Sequence, residues 1–352
     1  MYYLMIVCLV AVLSSCHSSD MKAKYDSGQT VMHTDRKQRG VHLFGRTDTV
    51  TVSMLADRNI EWATLVSWAS QDDVDSPVVY HHNGDSSLIA ETDSRWVSRI
   101  QKLRVGGIKV FVKPHVWIDH PSGGKWRSDI SPAAAEDWAT WAASYRDYIL
   151  RYARLAEQGG AEMYSVGAEL TSLTKDRPRY WSKLIAEVRE VYTGKLVYSA
   201  NWYEEYEHIT FWDELDYVGV QAYFPLCDKR EPTLAHLRDG WADHLSGLQG
   251  VSRRVGKPII FTELGYKSTA LSAKEPWLWE EDPRTDDKEC SLQTQERCYQ
   301  AFFQEVWPQG WFAGVHFWQY RTDHDANDHY YDLDFTPQGK PAEGVLIEAF
   351  GK

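Results

Sequence analysis

Cysteine is scarce in this chain, basic residues are outnumbered by acidic ones, and the apolar stretch at residues 1–15 falls short of the ~20 residues a bilayer-spanning helix needs. The five cysteines show no Cys-x-x-Cys spacing and no Cys/His cluster, which argues against structural zinc. Set Cys8 and Cys16 aside and Cys227, Cys290 and Cys298 leave an odd count, so at most one disulfide. Cys290 and Cys298 on one helix would sit ~12 Å apart, beyond a bridge, while a loop position for Cys290 leaves that pairing open. The net charge of -12 excludes nucleic acid, or an anionic membrane gripped by the protein surface, as the natural partner. A neutral partner is expected, with no cofactor and no metal. His81-His82-Asn83-Gly84 reads as a turn, and the run from Asp323 departs from a calcium loop at Asp328 and Asp334, where Gly and Glu belong.

What is present begins at the N-terminus. Residues 1–15 carry no charged side chain, and Leu13-Ser14-Ser15-Cys16 resembles the lipobox at which bacteria lipidate and cleave. The expectation is a signal peptide over 1–15 and a lipidated Cys16 at the head of the mature chain. A polar tether over 16–39 would follow, anchored on the periplasmic or cell-surface face of a bacterial membrane. The positive charge of such a leader rests on the α-amino group alone. The folded body is expected over 40–352, as a monomer.

From Gly40 onward the chain repeats a cycle of short apolar run, polar loop and amphipathic helix. The runs that read as strands are 40–45, 61–68, 108–117, 161–169, 195–202, 216–224, 258–265 and 313–320. Strands alternating with helices pair in parallel through crossovers, and eight such units close into a single (β/α)8 TIM barrel. The clearest helix has Ser131 as its expected N-cap, Trp138, Trp141, Tyr145, Tyr148, Tyr152 and Leu155 as its stripe, and Gly159-Gly160 as its stop. Another runs from Pro178 to Tyr192. Most of the 16 Trp and 20 Tyr are assigned to core packing, a few to a site. The insertion at 267–290, with Trp277 and Trp279, is long for its place after strand seven and is expected to shape that site.

In this architecture chemistry sits at the C-terminal ends of the strands. Strand four ends in Glu169, with Met163, Ser165 and Gly167 expected on the same face. Strand seven brings Glu263, with Ile259 and Phe261 expected beside it. Two glutamates at such ends read as a carboxyl pair or as two independent salt bridges. A pair suits glycoside cleavage, in which one carboxyl donates a proton to the leaving oxygen while the other, ionised, supports charge at the sugar carbon. Glu169 is the expected acid/base and Glu263 the nucleophile. The other strand ends fit a polyhydroxylated ligand: Trp68 on strand two, Lys113, His115 and Trp117 on three, Asn201 and Trp202 on five, Gln221 and Tyr223 on six, Trp318 on eight, and Trp279 in the insertion. Taken alone, His115 reads as a hydrogen-bonded structural histidine.

The motifs Ser-Val-Gly-Ala-Glu169-Leu, Phe-Thr-Glu263-Leu-Gly-Tyr, Val-Lys-Pro-His115-Val-Trp117, Ala-Asn201-Trp202 and Val-Gln221-Ala-Tyr223-Phe resemble glycoside hydrolase family 113 over residues 40–349. The resemblance implies a retaining (β/α)8 hydrolase of β-1,4-mannan or manno-oligosaccharides. It makes Glu169 the acid/base, Glu263 the nucleophile, Trp318 the tryptophan under the reactive sugar and Tyr223 the residue holding the nucleophile. Ala168 stands where many relatives in the wider clan carry Asn, which leaves Asn201 as the candidate contact for the 2-hydroxyl. The competing readings are a retaining hydrolase of another β-glycan and a surface lipoprotein that binds glycan without cleaving it.

Overall fold

The computed structural model describes residues 36–81, 92–279, 287–322 and 333–352. The expected signal segment, Cys16, most of the tether, residues 82–84 of the His-His turn, residues 280–286 of the long insertion and Asp323 to Asp328 lie outside the described residues.

Eight strands run in parallel: β1 Gln38–Phe44, β2 Trp62–Gln71, β3 Lys109–Ile118, β4 Met163–Ala168, β5 Lys195–Asn201, β6 Val218–Gln221, β7 Ile259–Leu264 and β8 Phe312–Arg321. Each pairs with the next, and β1 pairs with both β2 (Val41 opposite Ala63) and β8 (Val41 opposite Phe317), which closes the (β/α)8 barrel. A two-residue strand, Tyr80–His81, adds antiparallel to β2. β1 takes in Gln38 and Arg39, two residues that polarity had placed in the tether, because a barrel strand needs backbone partners and not apolar side chains at its first positions.

The floor of the barrel interior is one apolar layer, Trp62, Phe111, Met163, Val197, Ile260 and Ala313, each from a different strand. Above it His316 lies across the axis, its Nδ1 2.7 Å from the Thr64 hydroxyl and its Nε2 3.1 Å from the Gln38 side-chain oxygen. A Cβ on Gly40 would come within 2.4 Å of that imidazole, so only glycine leaves room for it. His316 is therefore part of the barrel packing and not of a sugar pocket.

Around the barrel, α1 (Thr49–Asp57), α2 (Asp93–Val105), α3 (Ala135–Gly159), α4 (Thr171–Asp176), α5 (Pro178–Val191), α6 (Leu234–Val255), α7 (Leu292–Glu305) and α8 (Pro341–Gly351) fill the crossovers. The stripe of α3 is buried from Trp141 to Leu155, with Trp138 partly covered, and Gly160 ends the helix in the left-handed conformation. Its tyrosines keep their hydroxyls satisfied on strand carbonyls, Tyr145 on Val166 at 3.0 Å and Tyr148 on Ser67 at 2.9 Å, so large rings are buried without orphaned polar atoms. Each such ring contributes about 1.5–3 kcal/mol. The expected N-cap is corrected: α3 starts at Ala135 with Ala134 in the extended conformation as its N-cap, while the Ser131 amide is spent on the Val74 carbonyl and residues 131–134 are not helical. α5 buries Trp181, Leu184, Ile185 and Val188 as the spacing predicts. Cys227, Cys290 and Cys298 are free thiols, with Cys290 exposed and Cys298 buried in α7.

Strict alternation fails on the two strands that carry the glutamates. On β4 the register shifts between Ser165 and Ala168, and a Cβ on Gly167 would meet Tyr145 and Trp181 of the helix layer. On β7 it shifts between Phe261 and Leu264; Phe261 stacks against Trp241 on the outside, while Ile260 fills the interior. Neither Gly167 with Glu169 nor Ile259 and Phe261 with Glu263 therefore share a face as the period of two requires. An extra residue in a strand reverses the facing of everything after it and re-aims the next side chain.

Candidate active site

Glu263 ends up in the mouth of the barrel, 4% exposed. Its Oε1 is ion-paired with Lys113 Nζ, and its Oε2 accepts from the Tyr223 hydroxyl at 2.8 Å. Lys113, fully buried on β3, also donates to the Gln221 side-chain oxygen at 2.6 Å and lies 3.1 Å from His42 Nε2 on β1. An ammonium has no acceptor, so that His42 nitrogen must be the acceptor. Burial pushes Lys113 down to about 8, although Glu263 pulls it up. Burial pushes the Glu263 carboxyl above its ordinary value, although Lys113 and Tyr223 pull it down.

His115 sits next on β3. Its Nδ1 lies 2.5 Å from Arg127 Nη1, and since a guanidinium only donates, the neutral ring carries its proton on Nε2, 3.5 Å from Glu263 Oε1. Burial, then Arg127, Lys113 and His42, hold the imidazole well below its usual range. Arg127 opens the 3-10 turn Arg127–Asp129 after β3, with its guanidinium 4.5 Å from the centre of the Trp126 ring. Its Nε is 3.5 Å from Glu169 Oε2. Arg127 and His115, bonded to each other, thus lie between the two glutamates, each 3.5 Å from one of the carboxyls. Glu169 itself follows β4 with φ +54, its amide donating to Ser199 O at 3.0 Å.

Aromatic rings enclose this polar centre. Trp318, Tyr223 and Phe335 form one cluster, with Trp279 of the insertion 6.2 Å from Trp318 and 5.1 Å from Phe335. The Trp318–Gln319 peptide is cis. Trp202 stacks on Trp277 of the same insertion, centroids 5.1 Å apart at 28°. Trp68 stands edge-on to His115 at 5.0 Å, and Trp117, 45% exposed, joins it to Trp126 along the rim. Asn201 is half-buried, its side-chain oxygen accepting from the Tyr203 amide at 3.2 Å.

The structure therefore brings Lys113, His115, Gln221 and Tyr223 directly around Glu263, and places Trp68, Trp202, Trp279 and Trp318 in the walls, Trp117 on the rim and Asn201 in a turn of its own. Sequence reasoning missed three residues. His42 was legible as the inward position between Gly40 and Phe44 on β1. Arg127 lies in a loop with no period to mark it. Glu205, wholly buried after β5, accepts three hydrogen bonds, and burial still pushes its carboxyl up to about 7. Among the described residues no group of three or more His, Cys, Asp or Glu could hold a metal ion, and no helix is long and apolar enough to cross a membrane.

The family model of Glycoside Hydrolase Family 113 matches residues 37–340. A GH113 β-1,4-mannanase solved as a complex is 26% identical and superposes with a TM-score of 0.77 over 90% of this chain and 99% of its own. The GH113 β-mannanase AaManA from Alicyclobacillus acidocaldarius, in complex with ManMIm, is 27% identical with a TM-score of 0.76 over 90% and 97%. A family 5 mannosidase from Rhizomucor miehei shares the fold at 10% identity, with a TM-score of 0.61 over 90% and 92%. No curated protein matches. The chain is a glycoside hydrolase, and it belongs to glycoside hydrolase family 113.

Proposed function

We propose that this enzyme hydrolyses β-1,4-linked mannan or manno-oligosaccharides with retention, Glu263 acting as nucleophile and Glu169 as acid/base. The observation that carries the reading is the setting of Glu263: desolvated, paired with Lys113, oriented by the Tyr223 hydroxyl, and separated from Glu169 by the bonded pair His115 and Arg127. In the first step Glu169 gives its proton to the glycosidic oxygen as Glu263 attacks the anomeric carbon. The leaving sugar departs as an alcohol and a glycosyl ester forms. In the second step Glu169 takes a proton from water, the hydroxide attacks the same carbon, and Glu263 leaves as the carboxylate.

His115 Nε2, Gln221 Nε2, Arg127 Nε and Trp318 Nε1 are buried N–H donors that make no hydrogen bond within the described protein. Four such donors around a carboxyl pair suit a ligand rich in hydroxyl oxygens. That the similar structures are β-mannanases supports mannan over other β-glycans. The test is a product profile on manno-, gluco- and chito-oligosaccharides with the anomer followed by NMR. Release of β-configured mannose ends supports the proposal. Inversion, turnover confined to the other sugars, or binding without cleavage of any of them counts against it.

Export with lipidation at Cys16 is proposed on the uncharged segment 1–15 and the Leu13–Cys16 motif. Radiolabelled palmitate incorporated by the wild type and lost in Cys16→Ser checks it.

A further inference from the structure

Glu205 belongs to neither side of the carboxyl pair, yet its side chain reaches the segment that carries Glu169. A turn after β5, with Glu204 at φ +53, delivers it into the wall. Oε1 accepts from the Tyr198 hydroxyl at 2.7 Å and from the Thr174 hydroxyl at 2.9 Å, and Oε2 accepts from the Asn201 amide at 2.6 Å. The Tyr198 hydroxyl in turn accepts from the Leu170 amide at 2.8 Å. Leu170 immediately follows Glu169, Thr174 lies in α4, which starts at Thr171, and Asn201 ends β5. One carboxylate ties together three segments beside the acid/base candidate.

Glu169 needs such a tie. Its φ of +54 is a left-handed conformation that residues other than glycine seldom hold unless their surroundings over-determine it. The amides on either side of its Cα are fixed separately, its own on the Ser199 carbonyl and the next on Tyr198. Tyr198 has one proton to give. With Glu205 as the acceptor, its lone pairs stay turned to Leu170. A general acid acts only when its proton lies within hydrogen-bonding reach of the leaving oxygen, so a small drift of this turn is felt in the chemistry.

We propose that Glu205 is a positioning residue for the acid/base carboxyl, holding the Glu169 turn through Tyr198 and Leu170 while anchoring α4 and the end of β5 to the same point. It acts through these groups and does not touch substrate. The proposal rests on the reading of Glu169 as acid/base.

The experiment compares kcat/KM on mannotetraose, whose leaving sugar needs a proton, with that on 2,4-dinitrophenyl β-mannobioside, whose leaving group departs without one. Tyr198→Phe removes a single hydroxyl, and Glu205→Gln and Glu205→Ala remove the charge and then the acceptor. Expected is a tenfold or greater loss on mannotetraose, increasing from Glu205→Gln to Glu205→Ala, with less than threefold loss on the aryl substrate. Equal losses on both substrates, or none on either, overturn the proposal. Should Glu205→Ala fail to fold by circular dichroism, Tyr198→Phe decides alone. Glu169→Ala, run alongside, separates the two claims. If it keeps full activity on mannotetraose, the acid/base reading has failed. If it loses mannotetraose and keeps the aryl substrate while Tyr198→Phe shows no difference between the two, only the role of Glu205 has failed.

Discussion

The Tyr223 hydroxyl donates to Glu263 Oε2 at 2.8 Å while Lys113 holds Oε1, so both oxygens of the proposed nucleophile are engaged before substrate arrives. A carboxylate fixed in this way cannot rotate out of line, and attack on the sugar carbon trades the lysine contact for a covalent bond. Glu263→Ala is expected to lower kcat on manno-oligosaccharides by at least about 10³-fold with the far-UV circular dichroism unchanged. Full turnover in that variant would remove Glu263 from the role.

Lys113→Met keeps an unbranched side chain, one atom shorter, and removes the charge that pulls Glu263 down. Protonated Glu263 is not a nucleophile, so the acid limb of kcat/KM falls as pH drops through its pKa. In the variant that limb is expected to move to higher pH. Lys113→Ala leaves a buried carboxylate unpaired and is expected to cost about 3–5 kcal/mol in urea unfolding. An unmoved limb would mean that the lysine does not set the charge of Glu263.

His316 offers a test of stability against pH. Burial holds it at about 3, whereas the unfolded chain takes up a proton near 6.5. Between those values the unfolded state binds more protons than the folded one, so this group's contribution is present above about 6.5 and is lost as pH falls. Glu205 and Glu263, both raised, act in the opposite sense, so the readout is a difference. From pH 6.5 to 5, wild type is expected to lose about 1.6 kcal/mol more in total than His316→Gln in urea unfolding, the slope approaching about 1.4 kcal/mol per pH unit at the lower end. Parallel curves would refute the assignment.

Trp277 is 37% exposed and stacked on Trp202. A ring in that position is expected to meet sugars beyond the cleaved bond. Trp277→Ala should raise KM on mannohexaose about five- to tenfold, the loss of one ring stack, and leave KM on an aryl β-mannoside within twofold. Equal effects on the long and short substrates would place the tryptophan elsewhere.

How much of this was legible beforehand differs from residue to residue. Trp141, Tyr145 and Trp181 read as core from their spacing, because a helix period of 3.6 is a local property that packing then uses. Glu169 and Glu263 read as mouth residues because each stands at the end of an apolar run. The faces of Gly167 and Phe261 were misread, because a register shift is set by the neighbouring strand's hydrogen bonds and leaves no trace in local alternation. Arg127 and Glu205 gave no signal, since loops have no period.

The sequence by itself determined the strand–helix alternation, the closed barrel and the two glutamates at its mouth, all of which depend on the order of apolar and polar residues along short stretches. The tertiary structure alone decided that Lys113 neutralises Glu263, that Arg127 and His115 span the gap to Glu169, and that Glu205 grips the turn beneath it. His115 and Arg127 lie 12 positions apart in the chain, and Lys113 and Glu263 lie 150 apart. Barrel closure, and not neighbouring sequence, sets which of these side chains meet.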